Sequence, residues 1–390
     1  MNILQSKKRE IHNPYQIFQN EEEDLSKEPD KNKPNNFNLK VLTYNFFLRP
    51  PPIKTNEDDY KEERLNDFYP FLKQFDIICM QEVFGAVHNR KNKLIQKARE
   101  NGLFYYMKSN SPSLFSKCLI DGGLLILSKY PILESNYIDY DYCVLSDSLC
   151  SKGVIFVKIK ILDFYLCIFN THLQASYFDA GQKFWDLCIK VRKEQSEKLI
   201  NFIYSTIYKM KRDDVLRSKF ILLGDFNIDA HDYKETRSKF NLSKGIISEY
   251  ECFKLKLNKL GKAIDLFENK FKEHPFTFGV NDKNYDKVLT GKIELNSHQT
   301  IDYIWEIIPD LTLPIFNLYH DYTGKNGTIP LNDNSNLSNF NFKNIDKKLE
   351  ILYDSPEVET FLVENRPYQQ LSDHFGLSIQ LSINSFNKMN

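Results

Sequence analysis

Six polar phrases in this chain carry oxygen- and nitrogen-bearing side chains suited to hydrolysis at an anionic centre. In Ile221-Leu222-Leu223-Gly224-Asp225-Phe226-Asn227-Ile228-Asp229 an apolar run with β character breaks at a glycine, and a carboxylate and a carboxamide follow two residues apart. Strand alternation would point Asp225 and Asn227 to one side at the strand's end. A hard metal ion or a phosphate oxygen needs such a rim. Alone, the phrase reads as a strand followed by an Asp/Asn turn. It has company. Asn45 ends another apolar strand, and Gln81-Glu82 interrupts a second, where a lone glutamate is costly to bury without a partner or a metal. Asn170 leads into Thr171-His172-Leu173-Gln174, Asp302 follows Thr300-Ile301, and Ser372-Asp373-His374 opens a final apolar run. A histidine after a strand is ordinarily structural, Glu82 could sit in a salt bridge, and Asp373 could cap a turn. Strand ends gather at one edge of a layered fold, however, so groups recurring at every end can converge in one cleft.

The elements that must position them follow from periodicity. Alternation predicts strands over 39–46, 76–83, 122–127, 154–161, 164–170, the run ending at Asp225, 300–307 and 376–381, with Leu162-Asp163 as a hairpin turn. Helical spacing appears over 58–73 and over 181–211, where Trp185, Ile189, Leu199, Ile200 and Ile203 recur. Many strands with few long helices predict an α/β sandwich, two sheets face to face with helices outside. Residues 1–36 are polar, with the acidic run Glu21-Glu22-Glu23-Asp24, and are expected to be a disordered charged leader. The domain is expected over 37–385, with an Asn-rich insertion at about 318–368.

Composition narrows the class. Lys+Arg and Asp+Glu balance at 52 each among 390 residues, so no global basic field draws nucleic acid, which is not the expected partner. The seven cysteines are scattered without a CxxC pair, and several lie in apolar runs; they read as reduced core residues of an intracellular protein. No apolar N-terminal signal and no stretch of ~20 apolar residues is present, so a cytoplasmic location with at most peripheral membrane contact is expected. The phrase Phe46-Phe47-Leu48-Arg49-Pro50-Pro51-Pro52-Ile53 reads either as a loop dipping into a lipid interface or as a stiff cover over the core. Leu311 to Tyr319 is a weaker candidate for lipid contact.

Taken in order, Asn45, Gln81-Glu82, Asn170-Thr171-His172, Gly224-Asp225-Phe226-Asn227, Ile301-Asp302-Tyr303 and Ser372-Asp373-His374 resemble the motifs of the endonuclease/exonuclease/phosphatase (DNase-I-like) superfamily, from about Lys40 to Leu381. The resemblance implies a four-layer α/β sandwich. Within that superfamily the chain looks most like the neutral sphingomyelinases, through Gln81-Glu82-Val83-Phe84, the run from Gly122 to Ile132, and Thr171-His172-Leu173-Gln174-Ala175. Asp147-Ser148-Leu149-Cys150-Ser151-Lys152-Gly153 resembles a segment of the vertebrate membrane-anchored enzyme in which an Asp and a Lys form an activation switch. Asp147 and Lys152 could equally be an ordinary surface pair. The chain departs from that enzyme in lacking apolar N-terminal membrane segments and in carrying the Asn-rich insertion.

The reaction so implied is Mg²⁺-dependent hydrolysis of sphingomyelin to ceramide and phosphocholine at a membrane surface, with Mn²⁺ as a substitute ion. Glu82 is the expected primary metal ligand, with Asn45 as ligand or phosphate donor and Asp373 for a second ion. His374 is the expected general base, since imidazole titrates near working pH. The resemblance implies that Asp302 orients it, that Asp225 positions water or metal, and that Asn227 and His172 bond the phosphoryl oxygens. A monomer is expected, with an anionic lipid as the activator if Asp147 and Lys152 form the switch. The rival readings are a phosphodiesterase acting on a lysophospholipid, another choline phosphodiester or another sphingophospholipid, an abasic-site or DNase-like nuclease, an inositol polyphosphate 5-phosphatase, and an inactive scaffold. The 5-phosphatase phrases are absent, a nuclease calls for a basic groove, and every expected catalytic residue is in place.

Overall fold

A computed structural model describes residues 37–50, 53–56, 58–85, 88–112, 118–245, 247–280, 288–311 and 347–385. The expected leader and residues 318–346 of the expected insertion lie outside the described residues.

Two mixed sheets stack face to face. The first runs β11 (Lys347–Ile351), β13 (Gly376–Ser385), β1 (Phe37–Leu48), β2 (Ile77–Val83), β4 (Leu125–Ser128) and β3 (Tyr105–Lys108), with β12 (Glu357–Glu359) paired to β13. The second runs β5 (Ile132–Asp139), β6 (Gly153–Ile161), β7 (Phe164–His172), β8 (Ser218–Asp225), β10 (Asp302–Pro309) and β9 (Gly261–Asp265). β1 and β2 run parallel, as do β7 and β8, so their polar C-terminal ends share an edge. β13 and β10 run antiparallel to β1 and β8, which brings their first residues to that same edge.

The period of two sorts each strand between layers. Val41 of β1, Ile77 and Cys79 of β2, Ile168 of β7, Ile221 and Leu223 of β8 and Ile304 of β10 meet between the sheets. Leu42, Tyr44 and Phe46 face outward, against Leu65 and Phe68 of α1 (Lys61–Phe68) and Leu94, Ile95 and Ala98 of α2 (Arg90–Glu100). Phe169, Leu222 and Trp305 face the other way, against Leu199, Ile200 and Ile203 of α3 (Gln182–Lys209). Helix, sheet, sheet and helix form the four layers that the sequence predicts.

Some local expectations change. β4 begins at Leu125, not Gly122: Gly123, at φ +69°, departs from extended backbone. The last part of the expected insertion belongs to the first sheet: Leu349 and Ile351 of β11 pack into the inter-sheet core. Phe46, Phe47 and Leu48 are buried, so the start of that phrase covers the core and does not present these side chains to an interface, while Pro51 and Pro52 lie outside the described residues. Residues 312–319 of the weaker lipid candidate lie outside the described residues.

Candidate active site

Four of the six phrases reach one cleft by a single rule. Continuing the inward-facing register of β1 past Val41 puts Asn45 between the sheets at the strand's far end. The same step from Ile168 gives Asn170 and His172, from Leu223 gives Asp225, and from Ile304 back to the strand's start gives Asp302. Asn170 lies one layer deeper. Its Oδ1 accepts a 2.7 Å hydrogen bond from Gln81 Nε2, and its Nδ2 donates to Met80 O, so this pair ties the two sheets together below the cleft.

Glu82 breaks the rule. Alternation along β2 would turn it toward the helical layer, with Ile78 and Met80. Its backbone instead adopts φ +57°, a left-handed conformation costly for a residue with a Cβ, and the carboxylate swings to Asn45, with Asn45 Nδ2 3.3 Å from Oε1. The same Nδ2 donates to Asp225 Oδ2 at 2.9 Å, while Asn45 Oδ1 accepts the Phe47 N–H. Asn45 therefore bridges two carboxylates with its nitrogen.

Asp225 and Asp302 are directly opposed across the antiparallel β8–β10 pair. Burial first, and then the charge of Asp302, push the Asp225 carboxyl up to about 7. Asp302 Oδ2 lies 2.9 Å from His374 Nδ1, and the other imidazole nitrogen, Nε2, lies 3.9 Å from Asp225 Oδ2. Burial alone would lower the His374 pKa, but Asp302, Asp373 and Asp225 together hold it well above the ordinary imidazole value. Asp373, also buried, is pushed up to about 7 chiefly by desolvation. The ring of Phe278 covers His374 with centroids 4.8 Å apart.

On the other wall, His172 Nε2 lies 3.3 Å from Asp225 Oδ2 and 3.0 Å from Lys152 Nζ. Burial, then Lys152 and His374, lower its pKa well below the usual value, so this imidazole is neutral at physiological pH. Lys152 is a buried ammonium whose remaining contacts are Leu173 O at 2.7 Å and Asp147 Oδ2 at 2.8 Å. Asp147 and Lys152 thus form a buried pair directly behind His172, which surface pairing would not give. Asn227 reaches the cleft from a turn and not by strand alternation, because β8 ends at Asp225. With φ +51° it donates its N–H to Asp225 Oδ1 at 2.9 Å and its Nδ2 to Leu173 O at 3.1 Å, while Tyr233 OH donates to its carbonyl.

All ten candidate residues therefore gather around one cleft of about 620 Å³, which Glu82, Asp147, Lys152, His172, Asp225, Asn227, Asp373 and His374 line directly. Sequence reasoning missed Phe278, Tyr177 and Phe178 in its walls, together with Arg49, Asp179 and Glu294. No polar strand-end signal marks them: Arg49 figures only within the Phe46–Ile53 phrase, Phe178 and Asp179 lie in a short 3-10 turn, and the others lie in loops.

The donors fit a cation. Asp225, Asp302 and His374 offer ligand atoms within 4.8 Å of one another, a group that could hold a metal ion. Asp302 and His374 are already bonded to each other. Glu82 Oε2, by contrast, is buried with no partner, a position that costs several kcal/mol for a carboxylate unless a cation meets it. The orphaned oxygen, with Asp225 and Asp373 nearby, makes the Glu82 side the better fit.

Comparison with known proteins gives the class. The model of the endonuclease/exonuclease/phosphatase family matches residues 42–374, and the chain belongs to that family. Solved structures show the same fold: a sphingomyelinase C from Streptomyces griseocarneus superposes with a TM-score of 0.55 at 17% identity, covering 88% of this chain and 99% of that one. A variant of the Staphylococcus aureus beta toxin with bound magnesium ions gives 0.52 at 17% identity over 88% of this chain and 99% of that one. Within the family, the chain is 30% identical to a sphingomyelinase of Dictyostelium discoideum over 89% of its own length and 99% of that protein's. It is 26% identical to a sphingomyelinase C of Bacillus cereus, covering 58% of this chain and 65% of the relative. The protein is a phosphodiesterase hydrolase of the sphingomyelinase branch. Among the described residues no helix is long and apolar enough to cross a membrane.

Proposed function

We propose that this protein hydrolyses sphingomyelin to ceramide and phosphocholine at a membrane surface, with Mg²⁺ as cofactor and Mn²⁺ as a substitute. The observation that carries this reading is the pairing, in one cleft, of a buried Asp302–His374 dyad with the unpartnered Glu82 carboxylate oxygen.

Glu82 and Asp225, with Asn45 between them and Asp373 beside them, would hold the ion. When bound, it supplies Lewis acidity and positive charge to the phosphoryl oxygens and offsets the carboxylate field on His374. His374 Nε2, held toward the cleft by the Nδ1 bond to Asp302, then takes a proton from the attacking water. The water oxygen bonds to phosphorus and the P–O bond to the sphingoid carbon chain breaks. Its electron pair stays on the ceramide oxygen, which ends protonated, so one water is divided between the two products. Asn227 and the neutral His172 would hydrogen-bond the phosphoryl oxygens as negative charge develops on them.

The walls suit a choline head. Tyr177, Phe178 and Phe278 bring aromatic rings to the cleft wall, and Asp179 and Glu294 bring carboxyl groups, the kinds of group that attract a quaternary ammonium. The buried Asp147–Lys152 pair behind His172 supports a regulatory role, with an anionic lipid as activator. The test is release of phosphocholine from sphingomyelin vesicles with and without Mg²⁺, using Glu82→Ala as control and an abasic-site DNA duplex in parallel. Metal-dependent release lost in the variant supports the reading. Cleavage of the DNA with inert vesicles overturns it in favour of a nuclease.

A further inference from the structure

A buried carboxylate outside the six polar phrases bonds the backbone on either side of the strained glutamate's contact. Asp121 is 4% exposed and lies in the turn before β4. Its Oδ2 accepts the Gly85 N–H at 2.8 Å, and its Oδ1 accepts the Gly123 N–H at 2.8 Å. The same Oδ1 meets Lys91 Nζ at 2.8 Å and Ser109 Oγ at 3.1 Å. One side chain therefore ties the segment just after Glu82 to the turn that faces it.

That turn presses on Glu82 itself. A Cβ on Gly123 would stand 3.1 Å from Glu82 Cα and 3.0 Å from the Phe84 ring, so only a glycine lets the two backbones approach so closely. Val83 N–H donates to Gly123 O at 2.8 Å, which fixes the residue following the left-handed Glu82. Gly122 packs as tightly on the other side: a Cβ there would meet Ser151 O at 2.2 Å, next to Lys152. Without a clamp, Glu82 would relax toward extended backbone, and its carboxylate would turn away from Asn45 and Asp225.

We infer that Asp121, anchored by Lys91, is a positioning residue that holds the Glu82 carboxylate in its ion-binding orientation. The inference rests on the reading of Glu82 as a metal-holding group. Asp121 touches neither substrate nor reacting atoms, so its loss acts on ion affinity and leaves the chemical step of the loaded site intact.

Mn²⁺ binding, followed by electron paramagnetic resonance, tests this alongside the Mg²⁺ dependence of activity. In Asp121→Asn the amide nitrogen cannot accept from a backbone N–H. Mn²⁺ affinity is expected to fall about 10- to 100-fold, as for other groups that orient metal ligands. The Mg²⁺ concentration for half-maximal rate rises in parallel, while kcat at saturating Mg²⁺ stays within about threefold of the parent. A merely structural role would lower the melting temperature and kcat and leave Mn²⁺ affinity alone; that result overturns the inference. Should Asp121→Asn fail to fold, Asp121→Glu keeps the charge opposite Lys91 but spreads the clamp by a methylene. The same loss of affinity is expected there, and unchanged affinity overturns the inference. Glu82→Gln separates the two readings. Weak Mn²⁺ binding in Glu82→Gln with normal binding in both Asp121 variants overturns the inference alone; normal binding in Glu82→Gln overturns both.

Discussion

Replacing Asp302 by Asn keeps the shape of the side chain and removes its charge, at the group that faces His374 Nδ1 from 2.9 Å. Asp302 is the foremost influence raising the His374 pKa against burial, so the imidazole pKa should fall in the variant. The lost interaction is a buried, charge-assisted hydrogen bond, about 1.5–3 kcal/mol, or roughly 10- to 150-fold in rate if it is fully expressed in the transition state. A second effect adds to it. An Asn that turns its NH₂ toward Nδ1 selects the tautomer with the proton on Nε2, the nitrogen that must be free to act as base; the corresponding change in a hydrolase triad costs about 10⁴. The expected outcome is a kcat about 10³- to 10⁴-fold below the parent at neutral pH, with KM for sphingomyelin little changed. Asp302 also drops out of the like-charge pair with Asp225 across β8–β10, so the Asp225 carboxyl should titrate at lower pH. Vesicle hydrolysis against pH, with thermal melting to verify folding, reads these effects. A folded Asp302→Asn protein that turns over within about threefold of the parent would refute the dyad as the catalytic base.

Two further outcomes concern stability. Asp225 and Asp373 have folded pKa values pushed up to about 7, above the unfolded aspartate value of 3.8, and His374 is raised above 6.5. Between pH 6 and 8 the metal-free folded state therefore binds more protons than the unfolded chain and loses stability as pH rises, by up to about 1.4 kcal/mol per pH unit for each group in the steepest part of its titration. His172, whose pKa is depressed, opposes this only below about 6.5, where the unfolded chain charges first. Because Mg²⁺ competes with those protons, the rise in melting temperature that it produces over EDTA should be larger at pH 8 than at pH 6; an equal or smaller rise at pH 8 would contradict a cation at these carboxylates. Gly224→Ala places a Cβ 2.0 Å from Thr171 O at a φ of +133°, in the β7–β8 pair beneath Asp225. It should cost more than about 4 kcal/mol, whereas Gly102→Ala, with φ +88° and nothing within 4 Å, should cost about 1 kcal/mol from backbone strain; similar melting temperatures for the two variants would refute the close approach.

The sequence by itself determined the layers and most of the constellation. Alternation with period two and a long helical repeat specify two sheets with helices outside, and polar groups at strand ends must collect where those ends share an edge. That is why Asn45, His172, Asp225 and Asp302 were legible as one group before any coordinates. Tertiary structure decided what period two cannot express. Glu82 enters the cleft only through a left-handed backbone held by the Gly123 turn and Asp121, contacts made by residues dozens of positions away. Asn227 arrives by a turn, and Phe278 closes over His374 from a loop with no polar marker. The burial of Lys152 behind His172, and the opposition of Asp225 to Asp302, were likewise invisible along the chain. Local pattern reports which face of its own strand a residue occupies; which strands become neighbours, and how deeply a charge is buried between them, follows only from the packing of the whole sandwich.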